Sequence, residues 1–263
     1  MNNNKTGKYL HCIIKGKVPK DRFSVKGAAP ACGWGSASGG NLAGLEGNAA
    51  YAVNQGNLSC LVSDTSCDHY PLWREHIIAH QKPIEEVMKH YEVLPFSFSN
   101  IANTEDQIKK ILKERKDEFE ELLQKFKGKT EVGLKALWPD MKPVFQKINE
   151  KSPEIQRLKK NSCLTYQQQI FAGEFVEKLL KKRKEEEAKN ILEAVGSLSE
   201  DFKESQLIGE NMILNAAFLI KKDQKKMFDQ KIGKLEKKHK DIKFYYSGPF
   251  PLYNFVDLKI HLV

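Results

Sequence analysis

His76 and His80 stand four residues apart, the spacing at which one helix face presents two zinc ligands. Glu75 precedes the first histidine instead of following it, so the order is not that of a helical metalloprotease, and no third ligand declares itself. His80 also falls in an apolar stripe, which suits a packed, hydrogen-bonded imidazole better than a metal ligand. His11, His69, His90, His239 and His261 have no cysteine or carboxylate at ligand spacing. Phosphate chemistry has one candidate, "GSASGGN" at 35–41. Its glycines have the spacing of a phosphate-binding loop, but Asn41 occupies the place of the lysine that meets the β- and γ-phosphates. "GWGSAS" at 33–38 lacks the third glycine of a dinucleotide fingerprint. No GxSxG is present, and Cys12, Cys32, Cys60, Cys67 and Cys163 form no CxxC pair. The expectation is a protein with no catalytic residues, no cofactor and no metal, its thiols reduced in the cytoplasm.

Charge offers a different chemistry. Lys and Arg total 43 against 34 for Asp and Glu, a net charge of +9 over 263 residues, which favours acidic partners without specifying a fold. In "KKRKEEEAKN" (181–190), Lys181, Lys182 and Arg183 each have a glutamate four residues on, the pattern of a self-neutralised solvated helix face. The run 221–240 is more one-sided, with nine lysines against Asp223, Asp229 and Glu236. A covering helix with a cationic outer face accounts for it; an acidic protein surface or an RNA backbone is the sharper alternative. No aromatic RNA-binding pattern or zinc-finger spacing supports nucleic acid.

The elements that would carry these residues alternate. "YLHCII" (9–14) and "NLSCLV" (57–62) have strand character, separated by a glycine-rich loop at 27–48. Trp73, Ile77, His80, Ile84, Val87 and Tyr91 recur at helical spacing, with Pro83 predicting a kink or break. "VLPFSF" (93–98) reads as a strand. Thr104 and Gln107 form a capping box for a helix whose stripe runs from Ile108 to Phe126 and stops at Gly128. A second set follows: a strand with Val132, Leu134, Ala136 and Trp138 on one face, a helix start at Ser152–Pro153, and a long helix from about 163 to 195. "NMILNAAFLI" (211–220) then shows one apolar face, Phe228, Ile232, Leu235 and His239 line a helix, and "IKFYY" (242–246) is a strand. Val256, Leu258, Ile260 and Leu262 alternate with polar residues as a half-buried antiparallel strand would. The pattern predicts an α+β protein of two domains, 1–128 and 129–263. Each is a small, mostly antiparallel sheet with helices packed on it, of the split β-α-β kind. The longest apolar run, near "AAFLI" (216–220), is too short to span a bilayer, so a soluble chain is expected.

The last stretch, "YYSGPFPLYNFVDL" (245–258), concentrates aromatic rings around Pro249 and Pro251. Two prolines exclude a helix and push Gly248 and Phe250 toward extended backbone. On a polyproline II path, Phe250 and Tyr253 would project from one side. Two readings stay open: the rings seal the open end of the second sheet, or they form a preorganised surface for a partner protein.

"YYSGPFPLYNFVDLKI" resembles the closing signature of the gas vesicle protein F/L family (GvpF/GvpL), a Gly-Pro-aromatic-Pro-x-Tyr-x-Phe run. "YLHCII", "VLPFSFSNI", "GKTEVGLKALW" and "NMILNAAFLI" resemble further family blocks in the same order, covering nearly the whole chain and leaning toward the F branch. The 27–48 loop and "NSCLTYQQQIFAGEF" (161–175) depart from the family pattern. The resemblance implies a two-domain α+β fold with ferredoxin-like halves and no cofactor or catalytic site. It implies an accessory protein of gas vesicle formation, in the cytoplasm and at the vesicle, binding the small hydrophobic shell protein and other accessory proteins. Pro249, Phe250, Pro251 and Tyr253, with Lys225 and Lys226 of the basic helix, are the residues expected to contribute to that contact. The alternative is a nucleic-acid-binding module built on 221–240.

Overall fold

Tyr9 to Ile14 are six consecutive residues with no solvent exposure, so the first strand is covered on both faces. The structure, a computed structural model, describes residues 6–20, 44–159 and 165–258. The chain forms two compact units. One holds the residues up to Thr130 together with those from Phe250 onward; the other is Glu131–Pro249. The sequence placed everything after 128 in one domain, whereas the chain beyond Phe250 groups with the first unit.

In the first unit β1 (Gly7–Lys15) lies at the centre of the sheet. Around it are β2 (Ala50–Gln55), β3 (Leu58–Thr65), β4 (Val93–Pro95) and the short β5 (Ile101–Ala102). The order is β2-β3-β1-β4, with β5 also on β1, and every one of these pairings is antiparallel. The β1–β3 register shifts by one residue at an irregularity between Leu10 and Cys12.

Helix α1 (Arg74–Val87) runs through Pro83 without interruption, and its buried residues are His80, Pro83, Ile84 and Val87. At the next helix Thr104 caps as expected, but Gln107 reaches back to the amide of Asn103 and not to that of Thr104. Thr104 Oγ1 accepts from Gln107 N at 3.2 Å, and Gln107 Oε1 accepts from Asn103 N at 2.9 Å. The helix expected from 104 to 126 is instead two, α2 (Glu105–Glu114) and α3 (Lys116–Lys125). Arg115 leaves helical geometry at φ −104°, ψ 22°, and grips Glu118 through two 2.7 Å hydrogen bonds, closing the first turn of α3.

The second unit repeats the interleaving. β6 (Lys129–Leu137), β7 (Asp201–Glu204), β8 (Met212–Lys221) and β9 (Lys243–Phe250) form a sheet of order β7-β8-β6-β9. In each sheet the first strand therefore lies between the third and fourth. Val132, Leu134, Ala136 and Trp138 are fully buried, as their alternation predicts. β8 differs from expectation: Ile213, Ala217 and Leu219 are buried along with Leu214, Ala216, Phe218 and Ile220, so both its faces are covered.

Helices α4 (Lys142–Lys151), α5 (Pro153–Lys159), α6 (Tyr166–Gly196) and α7 (Lys225–Lys238) complete this unit. α6 begins on a full capping box between Thr165 and Gln168. At 1.5 Å per residue it is about 46 Å long, yet its only fully covered residues are Ile191 and Val195. Arg183 does not use Glu187 as an i, i+4 pair. Its guanidinium sits 5.5 Å from the Trp138 ring centroid and donates to Val144 O at 3.3 Å.

After β9 the chain turns. Val256 N donates to Leu252 O at 2.9 Å, and Leu252, Val256 and Leu258 are buried. The strand expected at 256–262 is, over its described part, a single parallel bridge from Leu258 to Phe96. Residues 259–262 lie outside the described residues, as does most of the 27–48 loop.

Candidate functional site

The residues singled out near the C-terminus have different surroundings. Pro249 is exposed, follows a cis peptide bond from Gly248, and lies within β9. Phe250 is half-buried and its carbonyl accepts from Thr130 Oγ1 at 3.1 Å. Pro251 is buried. Tyr253 is half-buried against a cluster containing Cys12, Ile14, Ile84 and Val87, its ring 6.0 Å from that of His80. A β-strand followed by a turn replaces the expected polyproline path. Lys225 donates to Asp229 Oδ2 at 2.9 Å and sits 5.7 Å over the Tyr246 ring, while Lys226 is exposed. Lys225 and Lys226 belong to the second unit, Pro251 and Tyr253 to the first.

Gly248 explains part of the Gly-Pro-aromatic-Pro run. Its φ is +117°, and a Cβ there would stand 3.0 Å from Glu131 O and 3.2 Å from Val132 Cα. Glycine is what lets β9 approach β6. Gly248→Ala should therefore destabilise the second unit by about 2 kcal/mol, read as a lowered midpoint in urea unfolding.

The two histidines of α1 have different surroundings. His76 Nδ1 donates to Pro71 O at 3.0 Å and its ring stacks on Trp73 at 5.3 Å, whereas His80 is buried. Among the described residues no group of three His, Cys, Asp or Glu side chains could hold a metal ion. His80 belongs instead to a buried polar cluster absent from the sequence reading. Its Nδ1 is 3.0 Å from Tyr9 Oη, and its ring stacks at 5.9 Å with that of His11. His11 Nε2 in turn lies 3.0 Å from Ser63 Oγ. Burial lowers both imidazoles, to about 3 for His11 and about 4 for His80, so both are neutral. A Cβ on Gly44 would strike Ser63 Oγ and His11 Nε2, so the Gly44 backbone packs directly against this pair. Nearby, Tyr70 Oη donates to Glu46 Oε1 at 2.7 Å and also contacts Thr65 Oγ1. The apolar run of β1 gave no sign of this cluster, because a histidine inside an apolar strand looks the same whether paired or not.

Exposed apolar surface is where the structure departs most from sequence expectation. The α1 stripe shares one face, yet only its C-terminal half is covered. Leu72 is 74% exposed, Trp73 58% and Ile77 41%. α6 starts the same way, with Tyr166, Ile170 and Phe171 exposed ahead of half-buried Phe175. Further along α6 an open groove of about 670 Å³ is bordered by Ala188 and Leu192 and by Phe202, Leu207 and Ile213. Its edge strand is blunted, since Asp201 Oδ1 accepts the Phe202 amide at 2.8 Å. No helix among the described residues is long and apolar enough to cross a membrane.

A family model described as gas vesicle synthesis protein GvpL/GvpF matches residues 7–257. Gas vesicle protein F of Streptomyces sp. (strain CB03234) is 30% identical over 207 residues, covering 77% of this chain and 86% of that protein. Gas vesicle protein F1 of Halobacterium salinarum is 25% identical, covering 80% and 82%. The crystal structure of GvpF from Anabaena sp. PCC7120 is similar with a TM-score of 0.77 and 25% identity, over 97% of this chain and all of that one. GvpF from Microcystis aeruginosa shares the fold, at a TM-score of 0.74.

Proposed function

Because the chain belongs to the GvpL/GvpF family of gas vesicle synthesis proteins, we propose that it serves vesicle assembly by binding the small hydrophobic shell protein, without catalysis of its own. It acts in the cytoplasm and at the growing vesicle. A subunit that builds a gas-filled wall exposes apolar surface before assembly and aggregates unless that surface is covered. The observation that carries this reading is the overhang of α1. Its core stripe continues past the part that is covered, leaving Ile77 and the N-cap residue Trp73 open to solvent, with Leu72 exposed just before them. Isolated exposed apolar residues are ordinary, but a contiguous set on one helix start is a contact surface. Each such side chain contributes on the order of 1.5–3 kcal/mol when fully covered, before the cost of association.

Half-buried Phe250, in the first unit with α1, is a second contribution to the same contact. Capture of purified protein on immobilised shell protein, at low and high salt, tests both. Trp73→Ala with Ile77→Ala should weaken capture about tenfold or more and leave the melting temperature unchanged, since neither side chain is in a core. Capture should persist at high salt. Unchanged capture by that variant removes α1 from the contact. Loss through Phe250→Ala instead would move the contact to the C-terminal run.

A further inference from the structure

We propose that the outer face of α7 is a docking site for an acidic amphipathic helix of a protein partner, separate from the apolar contact above. Met227, Lys231, Lys234 and Lys238 follow the i, i+4, i+7, i+11 spacing that lines one side of a helix, with Lys226 and Lys237 beside them. All but Lys231 are exposed, and Met227 is 57% exposed. The buried face, Phe228, Ile232 and Leu235, points elsewhere.

Several other lysines of the second unit have carboxylate partners. Lys182 has Glu186 and Lys189 has Glu193 on α6, Lys147 has Asp241, and Lys225 has Asp229. Lys226, Lys231, Lys234, Lys237 and Lys238 form no ion pair with a described residue. They face one another: Lys234 is three residues from Lys231 and Lys237 and four from Lys238. Like charges at these spacings destabilise a helix. Lys237 and Lys238 are compensated by the negative end of the helix dipole; Lys231 and Lys234, in the middle, are not. A surface that carries this repulsion unrelieved is complementary to carboxylates at matching spacing.

The chemistry favours a helix over a nucleic acid. α7 has no arginine to fork onto phosphate or base edges and no exposed aromatic on which a base could stack. Met227 instead supplies a soft apolar contact at one end of the stripe. From Met227 to Lys238 the stripe spans about 17 Å, three helical turns, which sets the length of the acidic segment.

Fluorescence anisotropy with the full chain tests this using three probes. They are a synthetic helical peptide with glutamates at i, i+4 and i+7 and one terminal leucine, its glutamine counterpart, and a single-stranded RNA. The glutamate peptide should bind, the glutamine peptide should not, and binding should weaken with salt. Lys231→Glu with Lys234→Glu should reduce affinity at least about tenfold. The same reversal at Lys182 and Lys189 on α6 should change it less than about twofold. The α7 variant should melt at or slightly above the wild-type temperature, because its repulsion is relieved, so lost binding cannot be ascribed to unfolding. No peptide binding, or binding indifferent to the α7 variant, overturns the proposal. RNA bound more tightly than the peptide, with the same α7 dependence, overturns it in favour of nucleic acid. Neither result bears on shell-protein capture through α1.

Discussion

Trp138→Ala should cost the second unit about 3–5 kcal/mol, a large part of what a domain of this size has to lose. Trp138 is the largest fully buried side chain and stands just beyond β6, in contact range of a core drawn from Val132, Leu134, Ile191, Phe218 and Phe228. Its backbone is fixed from both sides, its amide donating to Asn211 O at 2.9 Å and its carbonyl accepting from Asn211 Nδ2 at 3.1 Å. The indole cannot be replaced by local shift, because Arg183 is held over it by Val144 O and, at 3.9 Å, by Asp241. Truncation leaves a cavity under a guanidinium, which neither collapses nor fills with apolar atoms. Trp138→Phe, which keeps a ring beneath Arg183, should cost much less. Hydrogen exchange reads this directly: β8 amides should lose protection in the alanine variant and keep most of it in the phenylalanine variant. Equal exchange in both variants would mean that the core tolerates the void.

Periodicity found the elements because burial on these sheets follows it. Val132, Leu134, Ala136 and Trp138 alternate because one face of β6 meets helices, and Phe228, Ile232 and Leu235 recur because one face of α7 meets the sheet. It failed where coverage is decided by the neighbours. Trp73 and Ile77 share the period of Ile84 and Val87, and nothing in that period says where the cover ends. Ile213 and Leu219 could not be told from a solvent face by alternation, since central strands are apolar on both sides. The break at Arg115 was hidden for a related reason: Ile108, Leu112, Phe119 and Leu123 keep helical spacing across it. The Thr165–Gln168 capping box was legible as T-x-x-Q and marks the start of α6 directly. The family likeness rested on the Gly-Pro-aromatic-Pro run, and there the sequence signal has a backbone cause in Gly248. The lysine run was visible from the start, but its meaning depended on which charges are already paired. Lys225 is paired, and the stripe from Lys231 to Lys238 is not.

Acid should loosen the first unit well before its carboxylates titrate. His11 and His80 are held below the ordinary histidine value of 6.5, at about 3 and about 4, first by burial and, for His11, also by the charge His80 would carry beside it. The folded state therefore prefers both rings neutral, and the unfolded chain binds more protons below pH 6.5. By linkage their contribution is complete above 6.5 and is lost as pH falls toward the folded values. Each ring gives a slope of up to about 1.4 kcal/mol per pH unit, so at pH 5 the pair should have removed roughly 4 kcal/mol. Neither proton can be accommodated locally: His11 faces Ser63, Tyr9 and His80, and His80 faces Tyr9, Phe98 and Tyr253, with no carboxylate among them. His80→Phe fits a site already walled by rings and removes one of the two titrations. Its stability should fall about half as steeply as wild type between pH 6.5 and 5, measured as urea midpoints followed by exchange at β1 amides. Parallel slopes in the two proteins would show that the histidines open to solvent before they are protonated, and that the cluster does not govern the acid limit.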